Sequence, residues 1–199
     1  MPKIVDREAR REELAQAVWR VIAKNGMSAV TVRSVADEAN WSRGVLAHYF
    51  PDKESLLSFA GQLAAEQFDQ DLVEATKGLR GVDAIRAMLE VALPLDRDKR
   101  VGNAIWINFL TRALENRVLR RDELRKYARG RHILAGIISE MGELPEDMDV
   151  EMEADMLTAF VDGLSIGGLV NPRRYNRTRL GAMIEAQLEG FLRRAGHRE

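Results

Sequence analysis

The chain of 199 residues contains no cysteine. This removes disulfide staples and thiolate metal ligands together and fits a reducing compartment. Histidine is nearly as scarce: His48, His132 and His197 lie far apart, and none follows a Glu at the Glu-x-x-His spacing of helical-bundle metal sites. A metal-dependent helical oxidoreductase is therefore not expected. Net charge is missing as well, with 30 Lys and Arg against 31 Asp and Glu. Residues 1–55 hold nine basic residues against eight acidic ones, so any field that attracts nucleic acid must come from local placement. No uninterrupted apolar run approaches the ~20 residues needed to cross a bilayer, and the opening Met-Pro-Lys-Ile-Val-Asp-Arg lacks the apolar core of a signal peptide. A cytoplasmic protein with no membrane partner is expected. No stretch reads as paired strands, there is no internal repeat, and no nucleophile stands beside a base. The chain does not read as an enzyme, and neither a cofactor nor a metal is expected.

Two patterns that look like sites fail on their details. The alternating acids Asp147, Asp149, Glu151, Glu153 and Asp155 suggest calcium ligands, but an EF-hand loop from Asp147 would put Met152 where glycine is required and Thr158 where the bidentate Glu belongs. A solvated loop leading into a helix is expected instead. The glycines at 163, 167 and 168 follow no strand, so they do not form a dinucleotide loop.

What is present is helical periodicity in an ordinary globular composition, 46% hydrophobic and 31% charged. Helices are predicted over about Asp6–Asn25, Val82–Leu93, Lys99–Leu114, 117–138, Glu151–Val170 and Tyr175–Arg194, punctuated by Gly26, Gly78, Gly81, Pro94, Pro145 and Asn171-Pro172. Between the first two of these, Thr31 to Leu57 reads as three helix starts in quick succession, capped by Thr31, Ser42 and Asp52. The helix after Ser42 is expected to carry Val45, Leu46 and Phe50 inward and to stop by Phe50, because Pro51 disfavours the α conformation in the residue before it. Two short, tightly joined helices, the second opening Ser42-Arg43-Gly44, have the form of a helix-turn-helix. The helix from Asp52 is long. Its apolar positions Leu56, Leu57, Phe59, Ala60, Leu63, Ala64 and Phe68 outrun what a three-helix unit can bury, so it must join that unit to something else.

This 27-residue stretch resembles the DNA-binding domain of the TetR family of transcriptional regulators, in which a capped Thr, a short recognition helix, a terminal Tyr-Phe pair and a Lys opening the next helix recur in this order. The resemblance implies an operator-binding repressor, with Thr31, Arg33, Trp41, Ser42, Arg43, Gly44, His48, Tyr49 and Lys53 at the DNA. Asn40-Trp41 stands where the family more often has Gly-Val, and Ala47 where it often has Tyr, so base contacts there are not carried over. Thr31 and Ser42 serve as caps and could also touch phosphate. Lys53 opposes the dipole of its own helix unless an anion is near, which favours a phosphate contact. Trp41 has two open readings, stacking on the DNA backbone or covering the small domain.

An all-α fold with two domains is expected: residues 1–52 for DNA binding, and residues 53–199 as a larger helical domain for ligand binding and dimerisation. The second domain resembles, through its Trp106 and Phe109 run and its Asp162-Gly163-Leu164 triplet, that of the choline-responsive repressors of betaine synthesis. Trp106, Asn108, Phe109, Tyr127, Phe160 and Asp162 are candidates to line an effector cavity, with packed core as the alternative. The expected partners are double-stranded operator DNA, a small-molecule effector and a second copy of the chain. Small residues at spacing four, Gly163 with Gly167 and Ala182 with Ala186 and Gly190, suggest the face for that second copy. The rival reading is a helical scaffold or enzyme that uses the helix-turn-helix for protein contacts.

Overall fold

The computed structural model describes residues 4–142 and 144–196, so His197 lies outside the described residues. These form nine α-helices and no strand: α1 (Ile4–Asn25), α2 (Val32–Ala39), α3 (Arg43–Tyr49), α4 (Lys53–Thr76), α5 (Gly81–Ala92), α6 (Arg97–Glu115), α7 (Arg117–Ser139), α8 (Val150–Val170) and α9 (Arg177–Arg194). No helix is long and apolar enough to cross a membrane among these residues.

The three predicted caps operate. Thr31 Oγ1 accepts from the Ser34 amide at 3.0 Å, the Ser42 hydroxyl accepts from Val45 N at 3.3 Å, and Asp52 Oδ1 accepts from Ser55 N at 2.7 Å. Each satisfies an amide that a helix start otherwise leaves orphaned. The turn between α2 and α3 rests on Asn40, at φ 57° and ψ 36°, while the Trp41 amide bonds back to Ala36 O at 2.9 Å. Asparagine tolerates this left-handed conformation better than most side chains, so the turn survives without glycine. Phe50 ends α3 with an extended backbone before Pro51. α9 starts at Arg177 rather than Tyr175 because the Asn176 side chain caps it, accepting from Arg179 N at 3.0 Å.

Two hydrophobic clusters hold the helices. The first contains Leu14, Val18, Val21, Val35, Leu46 and Phe50 with Leu56, Leu57 and Ala60 of α4, and it reaches Val101 and Ile105 of α6. Val32 is only partly buried there. Val45, expected inward, is 44% exposed: on a seven-residue helix the buried Leu46 and the half-buried Tyr49 set the inner face, and Val45 is rotated 100° away from Leu46. The second cluster joins α5, α7, α8 and α9 through residues such as Ile85, Ile138, Leu157, Ile184 and Phe191, and Leu72 near the end of α4 packs against it. α4 thus contributes to both.

The alternating acids before and within α8 have structural work. Asp149 caps α8 by accepting from Met152 N at 3.0 Å, Glu151 and Asp155 pair with Arg131, and buried Glu153 receives a two-pronged contact from Arg194 at 2.7 and 2.8 Å. The small residues are not equivalent either. A Cβ at Gly167 would come within 3.1 Å of the Tyr175 ring, whereas one at Gly163 would meet nothing within 4 Å. Gly167 therefore packs against Tyr175 within this subunit, while Gly163 is exposed.

Candidate nucleic-acid interface and cavity

Leu46, fully buried, and Phe50 anchor α3, which leaves Arg43, Gly44, Val45, Ala47 and His48 exposed on its outer side. Gly44 is informative because nothing lies within 4 Å of where its Cβ would be. The fold itself does not require a glycine there, although glycine in a helix costs about 0.5–1 kcal/mol relative to alanine.

Thr31, Arg33 and Ser42 are exposed as well, and Arg33 lies 3.8 Å from Asp37. Tyr49 is half-buried, with its ring edge-on to Trp41 and to His48, each at 5.7 Å between centroids. Trp41 is also partly buried. Its indole N–H donates to Glu13 at 3.3 Å and it packs against the first cluster, so here it covers the small helical unit. Lys53 is exposed in the first turn of α4 and makes no ion pair among the described residues. Asp52 engages the Ser55 and Glu54 amides of that turn, and its carboxyl is held below the usual range chiefly by the Ser55 amide. The Lys53 ammonium, exposed beside them, is available to an anion.

A cavity of about 1310 Å³ opens between α1, α4, α5, α6, α7 and α8. Four predicted ligand residues line it: Trp106, Phe109, Tyr127 and Asp162. Asn108 and Phe160 do not, which corrects the sequence expectation. Helical rotation is the reason, since each sits two residues, about 200°, from a cavity-facing neighbour, Trp106 or Asp162. Asn108 Oδ1 is instead buried with no hydrogen-bond partner, and Phe160 packs on the second cluster.

The Tyr127 hydroxyl donates to Asp162 Oδ2 at 2.8 Å. Burial raises the Asp162 pKa, and the Tyr127 hydroxyl partly offsets that rise. Burial, then the bond to Asp162, drives the Tyr127 pKa far upward. Sequence reasoning missed Trp19 of α1, Phe68 of α4 and Glu123 of α7, all of which line the same space. A signal existed for Glu123: with Tyr127, Gly130 and Leu134 it forms a stripe at helical spacing along α7.

The cavity touches α4 directly. A Cβ at Gly61 would fall 2.3 Å from Phe109 Cε2, so the missing side chain is what lets that ring lie against α4. One turn further along α6, Arg112 stands over the Phe109 ring at 5.6 Å and pairs with Glu54, the neighbour of Lys53.

Two family models match the chain: bacterial regulatory proteins of the tetR family over residues 14–58, and the C-terminal part of BetI-type transcriptional repressors over residues 81–193. The chain is 30% identical over 192 residues to the HTH-type transcriptional regulator PksA of Bacillus subtilis (strain 168), covering 96% of this chain and 94% of that protein. It is 31% identical over 174 residues to the HTH-type transcriptional regulator BetI of Burkholderia thailandensis, covering 84% and 86%. Among solved structures, a transcriptional regulator from Rhodococcus sp. Rha1 superposes with a TM-score of 0.80 at 27% identity, over 92% of this chain and 96% of that one. A transcriptional regulator from Saccharomonospora viridis in complex with choline also gives 0.80, at 22% identity, over 94% and 96%.

Proposed function

The chain belongs to the TetR family of bacterial regulatory proteins, with a BetI-type repressor C-terminal domain, and from that premise we propose that α3 reads an operator half-site in a homodimer whose grip is released by a small molecule in the cavity. As a member of the family it is a DNA-binding transcriptional regulator and not an enzyme.

The observation that carries the reading of α3 is its outer side, where Arg43, Gly44, Val45, Ala47 and His48 are all exposed. A guanidinium in the first turn can reach guanine O6 and N7, Val45 can meet a thymine methyl, and Gly44 allows close approach to the DNA. Lys53, free of acidic partners among the described residues, suits a phosphate. Two half-sites about 34–36 Å apart would then need two copies of α3. An exposed stripe on α8 supports that dimer: Met152, Met156, Ala159, Gly163, Ile166 and Val170 recur at alternating intervals of four and three, the spacing of a helix-bundle seam. For the effector, acidic side chains beside Trp106, Phe109 and Tyr127 favour a cation, whose charge the ring faces also attract. The choline held by the Saccharomonospora viridis neighbour fits this charge logic.

Filter binding with operator fragments selected from genomic DNA tests the reading. Arg43→Ala is expected to relax preference at one base pair per half-site, by about 1–3 kcal/mol. Lys53→Ala is expected to weaken every sequence alike and to lower the salt slope by about one per subunit. Absence of DNA binding by the parent chain at low salt would return the helix-turn-helix to a protein-contact role.

A further inference from the structure

Glu123 is the odd residue in its neighbourhood. It lies in a stretch of α7 crowded with arginine and lysine, yet it is only 6% exposed. Its Oε1 accepts from Lys126 Nζ at 2.7 Å, and its Oε2 is buried with no hydrogen-bond partner. A carboxylate oxygen withdrawn from water without a donor is costly, and nothing on α7 supplies one. Tyr127, one turn on, is already committed to Asp162.

Glu123 and Asp162 therefore flank Tyr127 on the wall of the cavity that Trp106 and Phe109 also line. Eight acidic side chains line this space against five basic ones. Four of the five basic groups are paired with acids: Arg20 with Glu38, Lys126 with Glu123, Arg129 with Asp69, and Arg131 with Glu151 and Asp155. The space asks for positive charge, and Glu123 Oε2 asks in addition for a hydrogen. A quaternary ammonium supplies only the first.

We propose that the effector is a protonated primary or secondary amine, whose N–H donates to Glu123 while its charge lies between Glu123 and Asp162 against the aromatic wall. This rests on reading the cavity as the effector site. Oε2 is shut off from solvent, so the carboxylate turns toward the cavity to meet the ligand, a rotation about a terminal torsion with a broad profile. Glu123 then selects among cations, because methylating the nitrogen removes the hydrogens and leaves the oxygen unpartnered.

The test is calorimetric titration of the full chain with two matched pairs of probes: ethanolamine against choline, and phenethylamine against its N,N,N-trimethyl derivative. Each N–H compound is expected to bind roughly ten- to hundredfold tighter than its methylated partner. Glu123→Gln is expected to shrink that ratio toward one, with melting temperature confirming that the variant is folded. The comparison within each pair on the parent chain does not depend on the variant. Equal or tighter binding of the trimethylated compounds, or an unchanged ratio in Glu123→Gln, overturns the proposal. Failure of all four to bind overturns it too. A release screen on Trp106→Ala then separates the two readings: a different effector whose action needs Trp106 leaves the cavity as the effector site and removes only the amine assignment.

Discussion

Asp162 shows how one side chain ties stability to ligand chemistry. Burial lifts its pKa above the ordinary carboxylate value, and the Tyr127 hydroxyl only partly compensates. A folded-state value above the unfolded one means that the fold favours the protonated form. The charged form therefore costs stability once pH rises through the unfolded value of about 3.9 and on past the folded one. Asp162→Asn keeps an oxygen for Tyr127 and removes the charge. It should raise the melting temperature at neutral pH, and the gain should vanish below about pH 4. Thermal unfolding of both proteins between pH 4 and 8 checks this. A parent chain as stable as the variant at neutral pH would mean that the Tyr127 bond to a charged acceptor outweighs the cost of burying that charge.

At the scale of elements, α4 carries Lys53 at one end and meets Phe109 of the cavity at Gly61. A cavity ligand that displaces the Phe109 ring pushes on the helix that shares a hydrophobic cluster with Leu46 and Phe50, and the Arg112–Glu54 pair offers a second route to the same end of α4. A ligand acts through either route only by binding one arrangement better than the other, typically by about 1–3 kcal/mol for such couplings. Gly61→Ala mimics that displacement without a ligand, since its Cβ would sit at a distance from Phe109 that real structures do not show. It should cost about 1–3 kcal/mol of stability through overpacking and weaken operator binding. Adding Phe109→Leu should restore the affinity. Unaltered operator affinity in Gly61→Ala, measured by filter binding, would remove Gly61 and Phe109 from the path of control.

The whole molecule offers two surfaces to a second copy. The α8 stripe leaves Ile166 45% and Val170 79% exposed, while exposed Ala182 and Ala186 of α9 offer a second surface that helices can approach closely. Ile166→Glu should cost a lone subunit little, because surface substitutions usually stay within about 0.5 kcal/mol. Within a dimer it would bury an unpaired charge. Light scattering should show the variant at half the parent's mass, with operator affinity reduced in parallel. A parent chain that scatters as a monomer at micromolar concentration would end the dimer reading.

The sequence by itself determined the helices and their caps, the short α3 among them, because these depend on interactions within a few residues: Thr31 with Ser34, Ser42 with Val45, Asp52 with Ser55, and Pro51 acting on Phe50. It also determined that α4 must run beyond the first unit, since its apolar positions exceed what three helices can cover. Tertiary structure decided which side of each helix meets which neighbour. Periodicity marks a buried side but does not say what lies against it, so it does not separate Asn108 and Phe160 from Trp106 and Asp162, about 200° away on their helices. Val45 is exposed rather than inward for a similar reason, and the choice between the two readings of Trp41 likewise rests on its contact with Glu13 of α1: burial in a short element depends on how it docks, a matter of packing between elements distant in the chain. Trp19, Phe68 and Glu123 border one space only because α1, α4 and α7 come together around it, and no local pattern encodes that convergence.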